Sequence, residues 1–125
     1  MKYIRVFILI SIIFAALFSL TLFKKSEILL TQSTKSMTIL MKKEGFEPAE
    51  VRIKKATTVK FINQDSQERW PASNLHPTHG IYPAFDPKMP IKSGAEWSFV
   101  FNNIGTWKYH DHLTPSLRGV IVVTD

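Results

Sequence analysis

Four histidines, arranged as two close pairs, are the residues whose type and spacing in this chain best suit metal chemistry. They are His76 and His79 in Leu-His-Pro-Thr-His-Gly, and His110 and His112 in Tyr-His-Asp-His-Leu. Imidazoles two or three residues apart can reach one metal ion together. The chain has no cysteine. Any metal site must therefore form without a thiolate ligand, and no disulfide supports the fold.

Two aspartates close to these histidines extend the set of candidate ligands to Asp111 and Asp86. Four imidazole nitrogens, or three with one carboxylate, suit Cu(II) in tetragonal geometry or Zn(II) in tetrahedral geometry. In an extended strand His110 and His112 point to one face and Asp111 to the other, whereas a strand that ends near Asp111 would bring it beside His112. Asp111 is then a direct ligand, an acceptor for the N–H of a metal-bound imidazole, or a carboxylate paired with Arg69.

The elements that must position these residues follow from the alternation of apolar and polar side chains. Short runs with a period of two predict strands with one buried face and one wet face. The runs begin at Met37, Val51, Val59, Trp97, Trp107 and Val120. Turn signals separate them, including one at Leu117–Gly119. This pattern predicts an all-β domain, an antiparallel sandwich or barrel.

The first histidine pair lies in a proline-rich segment at residues 70–90. Proline at this density continues neither a helix nor a central strand, so we predict a long ordered loop of the kind that often carries function. Trp70 and Tyr82 are predicted to pack in the core, with shielding of a metal or transfer of an electron as the alternative. Met89 is predicted to pack beneath the loop, because a thioether suits an all-nitrogen copper site poorly.

The N-terminal residues predict a membrane anchor. An apolar run at residues 6–23, flanked by basic residues, is long enough to cross a bilayer. A cleaved signal peptide is the alternative, since small residues lie near the end of the run. We expect an uncleaved transmembrane helix over residues 1–25, a polar tether over 26–36, and a domain over 37–125 on the extracytoplasmic side of the membrane.

The charge of the chain does not favour a nucleic-acid partner. The net charge of +6 includes four basic residues around the predicted anchor, and the remainder holds 12 basic against 10 acidic residues. No glycine-rich phosphate loop and no serine with a base and an orienting acid is recognisable. We therefore expect a non-enzymatic protein, and any enzyme activity would have to come from a bound metal.

Several short motifs resemble the cupredoxin family of small copper proteins. They are Gly45-Phe46-x-Pro48, Val51-x-Ile53, Val59-x-Phe61-x-Asn63-x-Asp65, and Gly105-x-Trp107-x-Tyr109-His110. The resemblance, as in plastocyanin and azurin, implies a Greek-key β-sandwich that holds a blue copper through two histidines, a cysteine and often a methionine.

The resemblance also shows what this chain lacks. Asp111, Thr114 and Leu117 occupy the places of the family's cysteine, second histidine and methionine, and residues 67–70 occupy the neighbourhood of its first histidine. Blue copper depends on the copper–thiolate bond. A type 1 centre is therefore excluded.

A second resemblance concerns the histidines that are present. His76-Pro77-x-His79 and His110-x-His112 are similar to multicopper oxidase signatures, in which the histidines flanking a cysteine bind a copper cluster. The further histidine of the first signature is replaced by Ile81. Because that cluster lies between domains, a single domain would have to oligomerise to imitate it.

Together these features predict a membrane-anchored cupredoxin-like protein that binds one non-blue metal ion, copper or else zinc, for copper handling or redox support. The predicted ligands are His76, His79, His110 and His112. A redox or copper-transfer protein would be the partner. A metal-free interaction module and an oligomeric copper oxidoreductase with a shared site are the alternatives.

Overall fold

The computed structural model describes residues 35–125, which form two four-stranded β-sheets. The strands are β1 (Ser36–Lys42), β2 (Gly45–Glu47), β3 (Glu50–Lys54), β4 (Thr57–Asn63), β5 (Pro71–Ser73), β6 (Glu96–Phe101), β7 (Gly105–Asp111) and β8 (Thr114–Thr124). One sheet has the order β2-β1-β4-β6 and the other β3-β8-β7-β5. The predicted all-β sandwich is confirmed.

Most strand pairs are antiparallel, as predicted, but two pairs in the sandwich are parallel, and for these the prediction of an antiparallel sandwich is wrong. β1 pairs with β4 so that Ile39 lies opposite Phe61, and β3 pairs with β8 so that Val51 lies opposite Ile121. The chain passes to the other sheet between the two members of each pair. A tight hairpin cannot join parallel neighbours, and this crossing supplies the long connection that they need.

The core between the sheets is rich in aromatic side chains, as the alternating pattern predicts. Phe61, Phe85 and Tyr109 are fully buried, and their ring centroids lie 5.5–5.7 Å apart. Burying side chains of this size stabilises the fold by about 1.5–3 kcal/mol each. Tyr109 also lies over Gly119, where an added Cβ would come 2.3 Å from the tyrosine Cζ. This close approach fixes β7 against β8 just before the second histidine pair.

The proline-rich segment contains a strand that the sequence pattern misses. β5 pairs with β7 at the edge of its sheet, and its first residue is Pro71. Edge strands and first strand positions tolerate proline because one side of the backbone needs no partner. β8 begins at Thr114, so the turn predicted at Leu117–Gly119 lies within a strand instead. The remainder of the segment, residues 74–90, is loop and turn.

The predicted transmembrane helix at residues 1–25 lies outside the described residues, as does the predicted tether up to residue 34. Ser36, the last residue assigned to the tether, is the first residue of β1. Within residues 35–125 no helix has the length and apolar character needed to cross a membrane.

Candidate metal centre

The two histidine pairs converge at one end of the sandwich. His76 and His79 come from the loop after β5, His110 lies near the end of β7, and His112 follows it in the turn to β8. One nitrogen from each ring lies within 4.8 Å of all the others. We call these four residues the histidine cluster.

The spacing of the nitrogens suits a single ion. His79 Nε2 lies 2.9 Å from His112 Nδ1, and His76 Nδ1 lies 3.3 Å from His110 Nε2. An ion bound to imidazoles at about 2.0 Å separates its ligand nitrogens by roughly 3–4 Å. With all four nitrogens within 4.8 Å of one another, the cluster therefore needs only a small adjustment to surround one metal ion.

Asp86 orients the His79 ring toward the cluster. The Nδ1 of His79 lies 2.6 Å from Asp86 Oδ2, and both side chains are buried. Donation of the Nδ1–H to this carboxylate leaves the lone pair on Nε2, the nitrogen that faces the other histidines. Asp86, which the sequence offers as a possible direct ligand, lies behind His79 and outside the cluster.

Three further contacts hold Asp86 in place. Trp70 Nε1 donates to its Oδ1 at 2.8 Å, and both the backbone N–H and the ammonium of Lys88 also donate to the carboxylate. Burial alone would raise the pKa of Asp86, but the hydrogen bonds from Lys88, His79 and Trp70 outweigh it and hold that pKa well below its usual range. The carboxylate is therefore charged at physiological pH and can accept the hydrogen bond from His79.

Asn74 orients the His110 ring toward the cluster, as Asp86 orients the His79 ring. Its Oδ1 lies 3.0 Å from His110 Nδ1, so that the Nδ1–H is donated to the amide and Nε2 faces the cluster. Burial, together with the nearby His79, His76 and His112, lowers the pKa of His110 to about 4. The ring is neutral at physiological pH. The role of Asn74 was not predicted from the sequence. The only indication in the sequence is that this amide lies two residues before His76.

Trp70 packs against His112 rather than in the core, so its predicted role is wrong. The two ring centroids are 4.5 Å apart, and the backbone N–H of His112 donates to the Trp70 carbonyl at 2.8 Å. Burial and the neighbouring imidazoles lower the pKa of His112. Tyr82 does lie in the core, as predicted. Met89 is 66% exposed, so the prediction that it packs beneath the loop is also wrong.

His76 differs from the other three histidines in its surroundings. Its ring is exposed, whereas His79 and His110 are buried and His112 is half-buried. Among residues 35–125, the only hydrogen-bond partner of its side chain is His110. The cluster thus consists of three supported rings and one ring at the surface.

The comparisons with known proteins agree with this architecture. A model of the family described as cupredoxin-like domain matches residues 11–123. The chain belongs to this family. No curated protein sequence matches the chain.

Solved structures of other cupredoxins share the fold. An oxidised amicyanin variant is 23% identical, with a TM-score of 0.60 over 71% of this chain and 82% of that one. A reduced amicyanin variant is also 23% identical, with a TM-score of 0.62 over 76% and 88%. A purple cupredoxin from Nitrosopumilus maritimus is 20% identical, with a TM-score of 0.56 over 70% and 98%. At these identities the likeness concerns the fold alone.

The usual type 1 ligands are absent from this cupredoxin, and a buried ionic network occupies their neighbourhood. Asp111 is fully buried and accepts from Arg69 Nη1 at 2.8 Å. The same Nη1 donates to Thr114 Oγ1 at 3.2 Å, and Nη2 pairs with Asp65. Of the roles considered for Asp111, the structure shows the carboxylate paired with Arg69. Its Oδ1 also accepts from the backbone N–H groups of Trp70 and Leu113.

Proposed function

We propose that this cupredoxin binds one non-blue copper ion through His76, His79, His110 and His112. The observation that carries the proposal is the convergence of four ring nitrogens within 4.8 Å from two separate segments. Two of the rings, His79 and His110, have their other nitrogen hydrogen-bonded to an acceptor, which is the usual arrangement of metal-binding histidines. Histidines that met at a surface by chance would not be expected to have an acceptor behind two of their rings.

Copper is the proposed ion and zinc the second choice. Neutral imidazoles bind both ions, but the stability order of divalent metals places Cu(II) above Zn(II) for a given nitrogen site. Membership of the cupredoxin family, whose members bind copper, supports this choice. A bound copper would supply a Cu(II)/Cu(I) couple without the thiolate bond of blue copper, which suits copper handling or redox support.

The distribution of support within the cluster favours copper handling. Asp86 holds His79, Asn74 holds His110, and Trp70 packs on His112. His76 lies at the surface, where it would be the first ligand that an incoming or departing ion meets. A copper-transfer or redox protein is the partner that such a site would serve.

We further propose that residues 1–25 anchor this domain to a membrane on its extracytoplasmic side. The uncharged apolar run and its basic flanks support this placement. Carbonate extraction of membranes tests it, because an anchored chain stays in the pellet. Recovery of the full-length chain in the wash would exclude an anchor.

A site within one chain is favoured over a shared one, because one copy of the domain supplies all four histidines. The rival reading is a metal-free interaction module. The two readings differ in their response to metal, since an ion that binds only the folded state raises the melting temperature. A domain that melts at the same temperature with copper and with chelator would support the interaction module.

Copper titration of the full-length chain in detergent tests the proposed site. We expect about one Cu(II) per chain, with weak d–d absorption and no intense visible band of the thiolate type. The double substitution His110→Ala/His112→Ala should abolish tight binding, whereas Asn102→Ala, in the exposed connection between β6 and β7, should not. Uptake that is unchanged in the double variant would exclude the cluster as the site.

A further inference from the structure

A cleft opens directly beside the histidine cluster. Its volume is about 270 Å³, and its lining consists of Asn74, Leu75, His76, His110, Pro115 and Arg118. Two of the four proposed copper ligands thus form part of its wall. A space of this size holds a small ion together with several water molecules. No carboxylate is among the lining residues.

Arg118 gives this cleft a fixed positive charge. It lies directly opposite His110 in the β7–β8 ladder, so both side chains lie at the same place on the sheet. Its Nε donates to the Pro115 carbonyl at 3.2 Å, which holds the side chain over the cleft. Its two terminal nitrogens have no hydrogen-bond partner among residues 35–125. They remain available to an anion.

The proposed copper site itself lacks negative charge. Four neutral imidazoles would leave both positive charges of a Cu(II) ion uncompensated by any ligand. Asp86 is hydrogen-bonded to the cluster, but its charge is already shared between His79 and Lys88, and the charge of Asp111 is paired with Arg69. A divalent ion held in this way, next to a guanidinium, strongly attracts an anion.

We propose that the cleft between His76, His110 and Arg118 binds a small anion that completes the coordination of the copper. The inference rests on the proposed function and extends it to an exogenous ligand. The class that fits is a small singly charged anion, such as a short carboxylate or a linear triatomic anion. One end would reach the metal on the exposed His76 side, and the other would face the guanidinium.

Azide binding to the copper-loaded, full-length chain tests the proposal. Azide bound to Cu(II) produces a ligand-to-metal charge-transfer band, so titration should give a new absorption that saturates. Arg118→Gln should raise the azide dissociation constant about three- to tenfold, the effect of removing one exposed charge beside the bound anion. Arg118→Lys should restore part of the affinity because it returns the charge.

Arg52→Gln is the matched control. It removes the same group from β3, opposite Val122, well away from the cleft. An equal loss of azide affinity in this variant, or no loss in Arg118→Gln, would overturn the proposal.

Metal analysis of the same samples keeps the two proposals apart. A chain that retains one copper but shows no azide band overturns the anion site and leaves copper binding intact. A chain that retains no copper overturns the proposed function, and the anion site falls with it.

Discussion

Arg69 Nη1 lies 2.8 Å from Asp111 Oδ2 in a buried place where the family pattern has its copper ligands. The guanidinium also contacts Thr114 and Asp65. A permanent cation therefore lies beside Asp111 and Thr114, which replace two of the family's copper ligands. Burial alone would lower the pKa of Arg69, but its bonds to Asp111 and Asp65 outweigh it and raise that pKa. The buried carboxylates of Asp111 and Asp65 are therefore paired with a cation without any metal ion.

Asp111 and its two neighbours in the chain serve different sites. The carboxylate joins the Arg69 network, whereas His110 and His112 join the histidine cluster. A shift in the β7–β8 register between His110 and Asp111 accompanies this divergence. The cluster and the Arg69 network are thus adjacent in sequence, and Trp70 contacts both, since its backbone N–H donates to Asp111 and its ring packs on His112.

Substitution of Arg69 by methionine should destabilise the fold markedly. It leaves Asp111 buried without its cation, and breaking a buried ion pair from one side costs about 3 kcal/mol or more. Urea denaturation of the metal-free chain measures the effect. Lys60→Met, which breaks the exposed pair between Lys60 and Glu96, should cost under about 1 kcal/mol. Equal losses in the two variants would mean that the Arg69 network is not important for stability.

The sequence predicts the strands and the histidine pairs because both depend on local pattern. The alternation around Phe61 and Tyr109 is confirmed by their burial. The sequence does not predict parallel pairing or β5, because tertiary contacts decide which backbone edges meet. For the same reason the sequence does not predict the hydrogen bond from His110 to Asn74 or the packing of Trp70 on His112. Both contacts depend on the approach of a loop to β7.

Substitution of His76 by alanine should weaken copper binding without abolishing it. The three remaining rings keep their supports, so a site with three nitrogens and an open position should persist. Transfer of copper to a competing chelator should become faster than in the unmodified chain. His110→Ala should be far more damaging, because it removes a buried ligand. Equal affinities for the two variants would contradict the distinction between supported and exposed ligands.

Substitution of Asp86 by asparagine should reduce copper affinity about 10-fold, the lower end of the usual effect of altering the group behind a metal-bound histidine, because an amide oxygen remains as acceptor. The amide is similar in size to the carboxylate but lacks its charge. Competition with a chelator of known affinity measures the change. Glu96→Gln, which neutralises an exposed carboxylate on β6, is the control and should bind copper normally. A normal affinity in Asp86→Asn would show that His79 does not need the negative charge of this partner.

The metal-free chain should lose stability as the pH falls through the range of histidine titration. The folded state lowers the pKa of His110 from 6.5 to about 4, and lowers that of His112 as well. Between these values the unfolded chain binds more protons than the folded one, so the free energy of unfolding decreases from pH 6.5 toward pH 4 and is level above pH 6.5. Below that range, loss of the charges on Asp65 and Asp86, whose pKa values are also lowered, should destabilise the fold further.

His110→Gln isolates the histidine part of this pH dependence. Glutamine cannot titrate, so the decline between pH 6.5 and pH 4 should become shallower, while the acid loss from the aspartates should remain. Urea denaturation in chelator at a series of pH values gives both curves. The result expected is a gap between the two proteins that changes with pH below 6.5 and is constant above it. Parallel curves over the whole range would show that burial of the neutral His110 ring does not contribute to the pH dependence.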